Sequence, residues 1–111
     1  MQIKTRELTG AALDWAVAKA EGKKPSIERG LVWVRGKSSP FVLYQPSSDW
    51  AQGGPILDRE RINLRDDGGD QWAADDSIRA ATYGLTPLVA AMRCYVASKL
   101  GETVNVPEEL T

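Results

Sequence analysis

The sequence predicts an α+β fold, in which a small, mostly antiparallel sheet of three to five strands is covered by two main helices, much like an α/β/α sandwich. Three observations support this prediction. A segment with helical spacing and clear ends lies near each end of the chain, and short β-rich runs separated by turn signals lie between them. The length of 111 residues suits a single domain spanning residues 1–111 that buries about two-thirds of its unfolded surface.

The first helix is predicted to follow Leu8. Thr9 is a suitable N-cap, and Leu8 and Leu13 have the spacing of a hydrophobic staple across it. The run of residues 10–21 is rich in alanine, and Gly22 is a suitable residue to end the helix. These signals predict an amphipathic helix over this run.

The strands are predicted from short β-rich runs and the turns between them. Residues 31–35 and 41–44 flank the turn-like segment 36–40, which predicts a hairpin. Residues 56–65 alternate as a strand does, and the glycine- and aspartate-rich segment 66–70 predicts a turn into a returning strand at 71–73.

Two further short elements are predicted outside those hairpins. Asp75, Asp76 and Ser77 suit the cap of a short helical turn that ends near Gly84. Residues 103–106, which precede a proline, are predicted to form a final edge strand.

The second main helix has the strongest end signals of the chain. Thr86 is its predicted cap, Pro87 occupies the first helical position, and Gly101 ends it. It carries one face of large apolar residues and one of small residues, and the small residues are Ala90, Ala91, Cys94, Ala97 and Ser98. We expect the large face to cover a sheet and the small face to admit another backbone, that of the first helix or of a second copy.

Composition excludes several classes of chemistry. The chain has no histidine and one cysteine, Cys94, which excludes histidine-based catalysis, thiolate zinc sites and an internal disulfide. An enzyme would need carboxylate or metal chemistry, for which the acidic stretch 66–76 has no recognised spacing. We therefore expect no catalytic residue, no metal and no cofactor.

Charge and hydropathy limit the partners and the location. Lysine and arginine number 14 and the acidic residues 15, so no bulk positive charge favours nucleic acid. No apolar run approaches the roughly 20 residues of a membrane helix, and the first residues lack the apolar core of a signal peptide. The expected location is the cytoplasm, away from the membrane.

The polar segment 44–55 is the candidate binding loop. It is longer and richer in polar and aromatic groups than a plain connection, and such loops commonly carry function. In the alternative interpretation, Asp49 caps a turn, Trp50 enters the core and the glycines only set the chain direction. The candidate residues are Tyr44, Ser47, Ser48, Asp49, Trp50, Gln52, Gly53 and Gly54.

Two further sites are predicted outside the loop. Arg59, Arg61 and Arg65 share one face of the predicted strand and suit contact with a nucleic-acid backbone, although a solvated outer face is the alternative. Trp15 lies off the apolar face of the first helix. It is expected to contact Lys19, to lie under a loop, or to anchor a subunit interface.

Four segments resemble a phage family. Residues 8–19, 48–56, 86–88 and 90–101 resemble the NinX family of lambdoid phages, which is related to phage proteins described as an α/β/α sandwich domain. The resemblance runs from about Thr5 to Leu110. It implies an accessory protein of the phage nin region, some neighbours of which act in recombination, and it implies no catalytic residue.

The expected function is a non-catalytic binding or protein-interaction role in phage biology. The loop 44–55 would bind the partner, either a small ligand or a phage or host protein. The alternative is an accessory factor in phage recombination or replication that contacts nucleic acid through the three arginines. A homo-oligomer is compatible with both.

Overall fold

Three helices and eight strands make up the computed structural model, which describes residues 1–38 and 40–111. The helices are α1 (Gly10–Ala20), α2 (Trp50–Arg59) and α3 (Pro87–Leu100). The strands are β1 (Gln2–Lys4), β2 (Ser26–Glu28), β3 (Leu31–Val34), β4 (Val42–Leu43), β5 (Asn63–Asp66), β6 (Trp72–Asp75), β7 (Thr82–Gly84) and β8 (Thr103–Asn105). The α+β class is confirmed, although the strands form three sheets and a third helix is present.

All three sheets are antiparallel. β1 pairs with β8, β2–β3–β4 form a second sheet, and β5–β6–β7 form a third. The predicted hairpins are confirmed by the pairing of β3 with β4 and of β5 with β6. Ser39, in the first predicted turn, lies outside the described residues. The unpredicted strands β1, β2 and β7 are each three residues long, too short for a clear alternating pattern.

The prediction of a strand over residues 56–65 is wrong for its first half. Helix α2 continues to Arg59, Arg61 takes a left-handed backbone conformation with φ 54°, and the strand begins only at Asn63. The glycines and Pro55 are typical of a loop, but contacts with the rest of the protein hold this segment helical. Ile56 lies in the hydrophobic core, one helical turn after the buried Gly53.

The predicted helical turn ending near Gly84 is also wrong. Thr82–Gly84 form β7, which pairs with β6. Asp76 instead closes a short turn, because its carboxylate accepts hydrogen bonds from the backbone N–H groups of Ile78 and Arg79. The predicted cap is therefore present at Asp76, but no helix follows it.

Helix α3 lies at the centre of the molecule and contacts α1, α2 and the β5–β6–β7 sheet. Its predicted ends are confirmed, since Thr86 Oγ1 accepts a hydrogen bond from Val89 N–H and Gly101 has a φ of 91°. The backbone of β7 lies directly against its small face. A Cβ atom on Gly84 would come within 2.7 Å of Ala90 N.

Among the described residues, no helix is both long and apolar enough to cross a membrane.

Candidate functional site

A groove of about 510 Å³ lies where the N-terminal ends of all three helices meet. Gly10 and Asp14 come from α1, Trp50 from α2, and Leu88 from α3, while Ser47 belongs to the segment that leads into α2. We call it the three-helix groove. Its lining combines the apolar side chains of α3 and the Trp50 ring with a few polar groups, as small binding sites commonly do.

Asp14 lies at this groove and is 4% exposed. Its Oδ1 accepts a hydrogen bond of 2.9 Å from the buried backbone N–H of Ser47. Burial raises the pKa of Asp14, and the hydrogen bonds from the hydroxyl and N–H of Ser47 oppose this only in part. Within residues 1–38 and 40–111, no lysine or arginine forms an ion pair with it.

Asp14 was missed as a site residue. The available signal was an acidic residue between Leu13 and Trp15 in a helix that is otherwise almost entirely apolar. A carboxylate in such a run is either exposed or held by specific hydrogen bonds. Only the fold shows that Ser47, 33 residues away, supplies them.

Trp50 forms a wall of the groove and is 54% exposed. Its ring lies beside Gly54 one turn later, where a Cβ atom would be 3.7 Å from Trp50 Cε3. The interpretation that Trp50 enters the core is therefore wrong. The proposed capping role of Asp49 is observed, because its Oδ1 accepts a hydrogen bond of 2.9 Å from Ala51 N–H.

The other candidates of segment 44–55 divide into residues that line the groove and residues that fix the position of α2. Ser48 lines it and is exposed, whereas Tyr44 is buried. The Gln52 amide donates a hydrogen bond to Leu43 O and accepts one from Gln45 N–H, which fixes α2 to the end of β4. Gly53 is buried against the carbonyl of Pro46. Ser47, Ser48 and Trp50 are therefore the predicted residues that face the groove.

The three arginines do not share a strand face, so that prediction is wrong. Arg59 ends α2, Arg61 lies in the turn and Arg65 lies in β5. Arg59 pairs with Glu21 at 2.6 Å, and Arg65 approaches Asp75 at 3.4 Å. The helical course of α2 separates the side chains that an extended strand would have aligned.

Trp15 makes the predicted contact with Lys19. The Lys19 ammonium lies 5.8 Å from the centre of the Trp15 ring, within the range of a cation–π interaction. Trp15 is half-buried and contacts the hydrophobic core. A role of Trp15 in a subunit interface stays a prediction.

Glu21 joins the ends of α1 and α2 to α3. Its carboxylate accepts hydrogen bonds from Arg59 and from the hydroxyl of Tyr95, and the Arg59 guanidinium lies 5.6 Å from the Tyr95 ring centre. Burial by itself raises the pKa of Glu21, but the hydrogen bonds from Arg59 and Tyr95 outweigh it, so its pKa is lowered.

We expect Glu21→Gln to lower the free energy of unfolding by about 1 kcal/mol at pH 7. The substitution removes the carboxylate charge that pairs with Arg59 at a partly exposed site. A lowered folded-state pKa stabilises the protein above the unfolded-state value near 4.3, and this contribution is lost as the pH falls through the folded-state value. Urea titrations from pH 7 to pH 3 should therefore show the difference from wild type shrink. The exposed Glu109→Gln is the control, and a difference that stays constant from pH 7 to pH 3 would contradict the assignment.

The described residues offer little for covalent or metal chemistry. Cys94 is buried, and burial raises the pKa of its thiol to about 11, so it is a poor nucleophile near neutral pH. No group of three acidic or cysteine side chains within 1–38 and 40–111 has the arrangement of a metal site. The three-helix groove therefore offers hydrogen bonds, an aromatic ring and apolar surface for recognition.

Comparison with known proteins places the chain in a family. The family described as Bacteriophage P22, NinX matches residues 4–99, and no curated protein matches the sequence. The match includes the starts of all three helices and thus every element that lines the groove. The chain belongs to the NinX family of phage proteins.

Proposed function

We propose that this protein is a non-catalytic interaction module whose partner binds in the three-helix groove. Its family makes it a phage accessory protein. The observation that carries the proposal is the half-exposed indole of Trp50 in the same groove as the buried carboxylate of Asp14. Tryptophan is enriched among the residues that dominate binding energy at protein interfaces.

The apolar surface of the groove favours a partner that covers it. The exposed part of the Trp50 ring lies in the same groove as Leu31, Leu88 and Val89. Burying roughly half of an indole contributes about 3 kcal/mol to binding before the entropy cost of association. Trp50 is therefore the expected anchor of the interaction.

The polar groups favour a partner that both donates and accepts hydrogen bonds. Asp14 and the Ser48 hydroxyl can accept hydrogen bonds at the groove. The Thr9 side chain does not cap α1, so the first-turn N–H groups at Gly10 and Ala11 are available as donors. A protein segment supplies both kinds of group through its backbone, which favours a phage or host protein as the partner.

Site-specific photocrosslinking tests this proposal. We would place p-benzoylphenylalanine at position 50 and, as a matched control, at position 41, because Trp50 and Phe41 are each 54% exposed and only Trp50 lines the groove. In host cells, the photoprobe at position 50 should form a covalent adduct with a discrete protein that the photoprobe at position 41 does not form. Equal labelling from both positions, or none, would overturn the proposal.

Trp50→Ala should weaken binding of the captured protein at least tenfold while leaving stability nearly unchanged. The exposed ring contributes mainly to the interface, and alanine is a good helix former. Calorimetric titration with the purified partner measures the affinity, and thermal unfolding controls for the fold.

A nuclease-sensitive adduct at position 50 would instead support the nucleic-acid role. Arg59 and Arg65 are less suited to that role because both are engaged by carboxylates.

A further inference from the structure

A second cavity, of about 490 Å³, lies between β1, the segment 79–82 and α3. Its lining shares no residue with the three-helix groove. We call it the basic-rimmed cavity and define it by Lys4, Arg6, Arg79, Cys94 and Ala97. It is an independent feature of the molecule.

The small apolar side chains of the cavity lining form what we call its floor, and Thr5, Thr82 and Thr103 also line the cavity. Cys94 and Ala97 come from the small face of α3, and Ala80 and Ala81 come from the segment that crosses it. Ile78, just before this segment, has a large apolar side chain that is 86% exposed and does not line the cavity. Apolar surface is thus left open where a large side chain would ordinarily fill the space.

The rim of the cavity is positively charged. Lys4, Arg6 and Arg79 line it together with one acidic residue, Glu102. Arg79 lies 3.8 Å from Asp76, whereas Lys4 and Arg6 form no ion pair within residues 1–38 and 40–111. This local excess of positive charge contrasts with the net charge of −1 of the whole chain. A bound anion would pair with Lys4 and Arg6.

We propose that the basic-rimmed cavity binds a small aliphatic carboxylate. Its hydrocarbon chain would lie on the floor formed by Cys94 and Ala97, and its carboxylate would pair with Lys4 and Arg6 at the rim. The cavity volume lies within the range of small-molecule sites. No aromatic side chain of the described residues lines it, so it lacks the stacking surface that a nucleobase would use.

Calorimetric titration of the full chain with decanoate, decanol and decylamine tests the ligand class. Decanoate should bind at least fivefold more tightly than decanol, and decylamine should not bind. The difference between decanoate and decanol should shrink at high salt, because the rim charges are exposed and are screened. Equal affinity for decanoate and decanol, or preferential binding of decylamine, would overturn the proposal.

Substitutions locate the site. Arg6→Gln should weaken decanoate binding about fivefold, whereas Arg35→Gln, an exposed arginine outside the cavity, should leave it unchanged. Ala97→Met should abolish binding by filling the floor. If that variant fails to fold, the Lys4→Gln, Arg6→Gln double variant serves instead, because both side chains are exposed.

Trp50→Ala supplies a second comparison, because Trp50 lines the three-helix groove and not the basic-rimmed cavity. This variant should leave decanoate affinity unchanged. Decanoate affinity that is insensitive to Arg6→Gln, or that falls in Trp50→Ala, would overturn the site.

Discussion

Gly53→Ala is expected to destabilise the protein by about 3 kcal/mol, because α2 lies too close to its neighbours to admit a methyl group. A Cβ atom at this position would come within 2.3 Å of the Pro46 carbonyl oxygen and 2.8 Å of Leu88 Cδ2. The first of these neighbours is backbone, which cannot move aside without displacing the segment that leads into α2. A urea titration should show a lower midpoint with an unchanged slope.

Gly54→Ala is the matched control, since it makes the same change one residue later. A Cβ atom there would lie 3.7 Å from Trp50 Cε3, an ordinary contact. Alanine is favoured over glycine inside a helix by about 1 kcal/mol, so we expect this variant to be as stable as wild type or more stable. Equal stability of the two variants would show that α2 does not approach Pro46 and Leu88 as described.

The second large effect is expected at Asp14. Asp14→Ala should be about 2 kcal/mol less stable than Asp14→Asn, because alanine leaves the buried Ser47 N–H without its acceptor whereas asparagine retains one. Comparing the two variants isolates the hydrogen bond, since both remove the charge. Chemical denaturation at pH 7 measures this difference. Equal stabilities would mean that Ser47 N–H finds another acceptor.

The charge of Asp14 is expected to give a distinctive pH dependence. Because burial raises its folded-state pKa, ionisation of this carboxylate destabilises the protein. The penalty is absent below the unfolded-state pKa near 3.9, grows as the pH rises towards the folded-state pKa, and is complete above it. Asp14→Asn should therefore gain stability over wild type as the pH rises from 3 to 7. An unchanging difference would contradict the raised pKa.

A carboxylate that destabilises the fold at neutral pH is a candidate for function. If the partner donates a hydrogen bond to Asp14, Asp14→Asn should bind more weakly even though it folds at least as well. The photoprobe at position 50 should then give a lower crosslinking yield in the Asp14→Asn protein than in the protein that keeps Asp14, although the Asp14→Asn protein is the more stable of the two. This pattern separates a role in recognition from a role in folding.

The helices that the sequence predicted correctly are those whose ends are marked by local signals. Thr86, Pro87 and Gly101 delimit α3 through capping and backbone preferences that involve only neighbouring residues. Helix α2 was missed because its glycines and Pro55 disfavour a helix locally. Contacts of Gly53 and Ile56 with the core override that preference.

The candidate site was predicted in part for the same reason. The segment 44–55 contributes Ser47, Ser48 and Trp50 to the groove, as its polar and aromatic composition suggested. Asp14 was not predicted because its importance depends on Ser47, and no local pattern links the two. The prediction that Arg59, Arg61 and Arg65 share a strand face is wrong because it required a strand where the chain forms a helix and a turn.

The sequence by itself determined the α+β class, the ends of α1 and α3, the absence of histidine-based chemistry and the resemblance to a phage family. Each of these depends on composition, on motifs or on interactions within a few residues. The tertiary structure alone decided that Trp50 is exposed, that Asp14 is buried at the same groove and that three helix starts form this groove. Those features arise from contacts between residues far apart in the chain, such as Gly53 with Leu88, which no local pattern encodes.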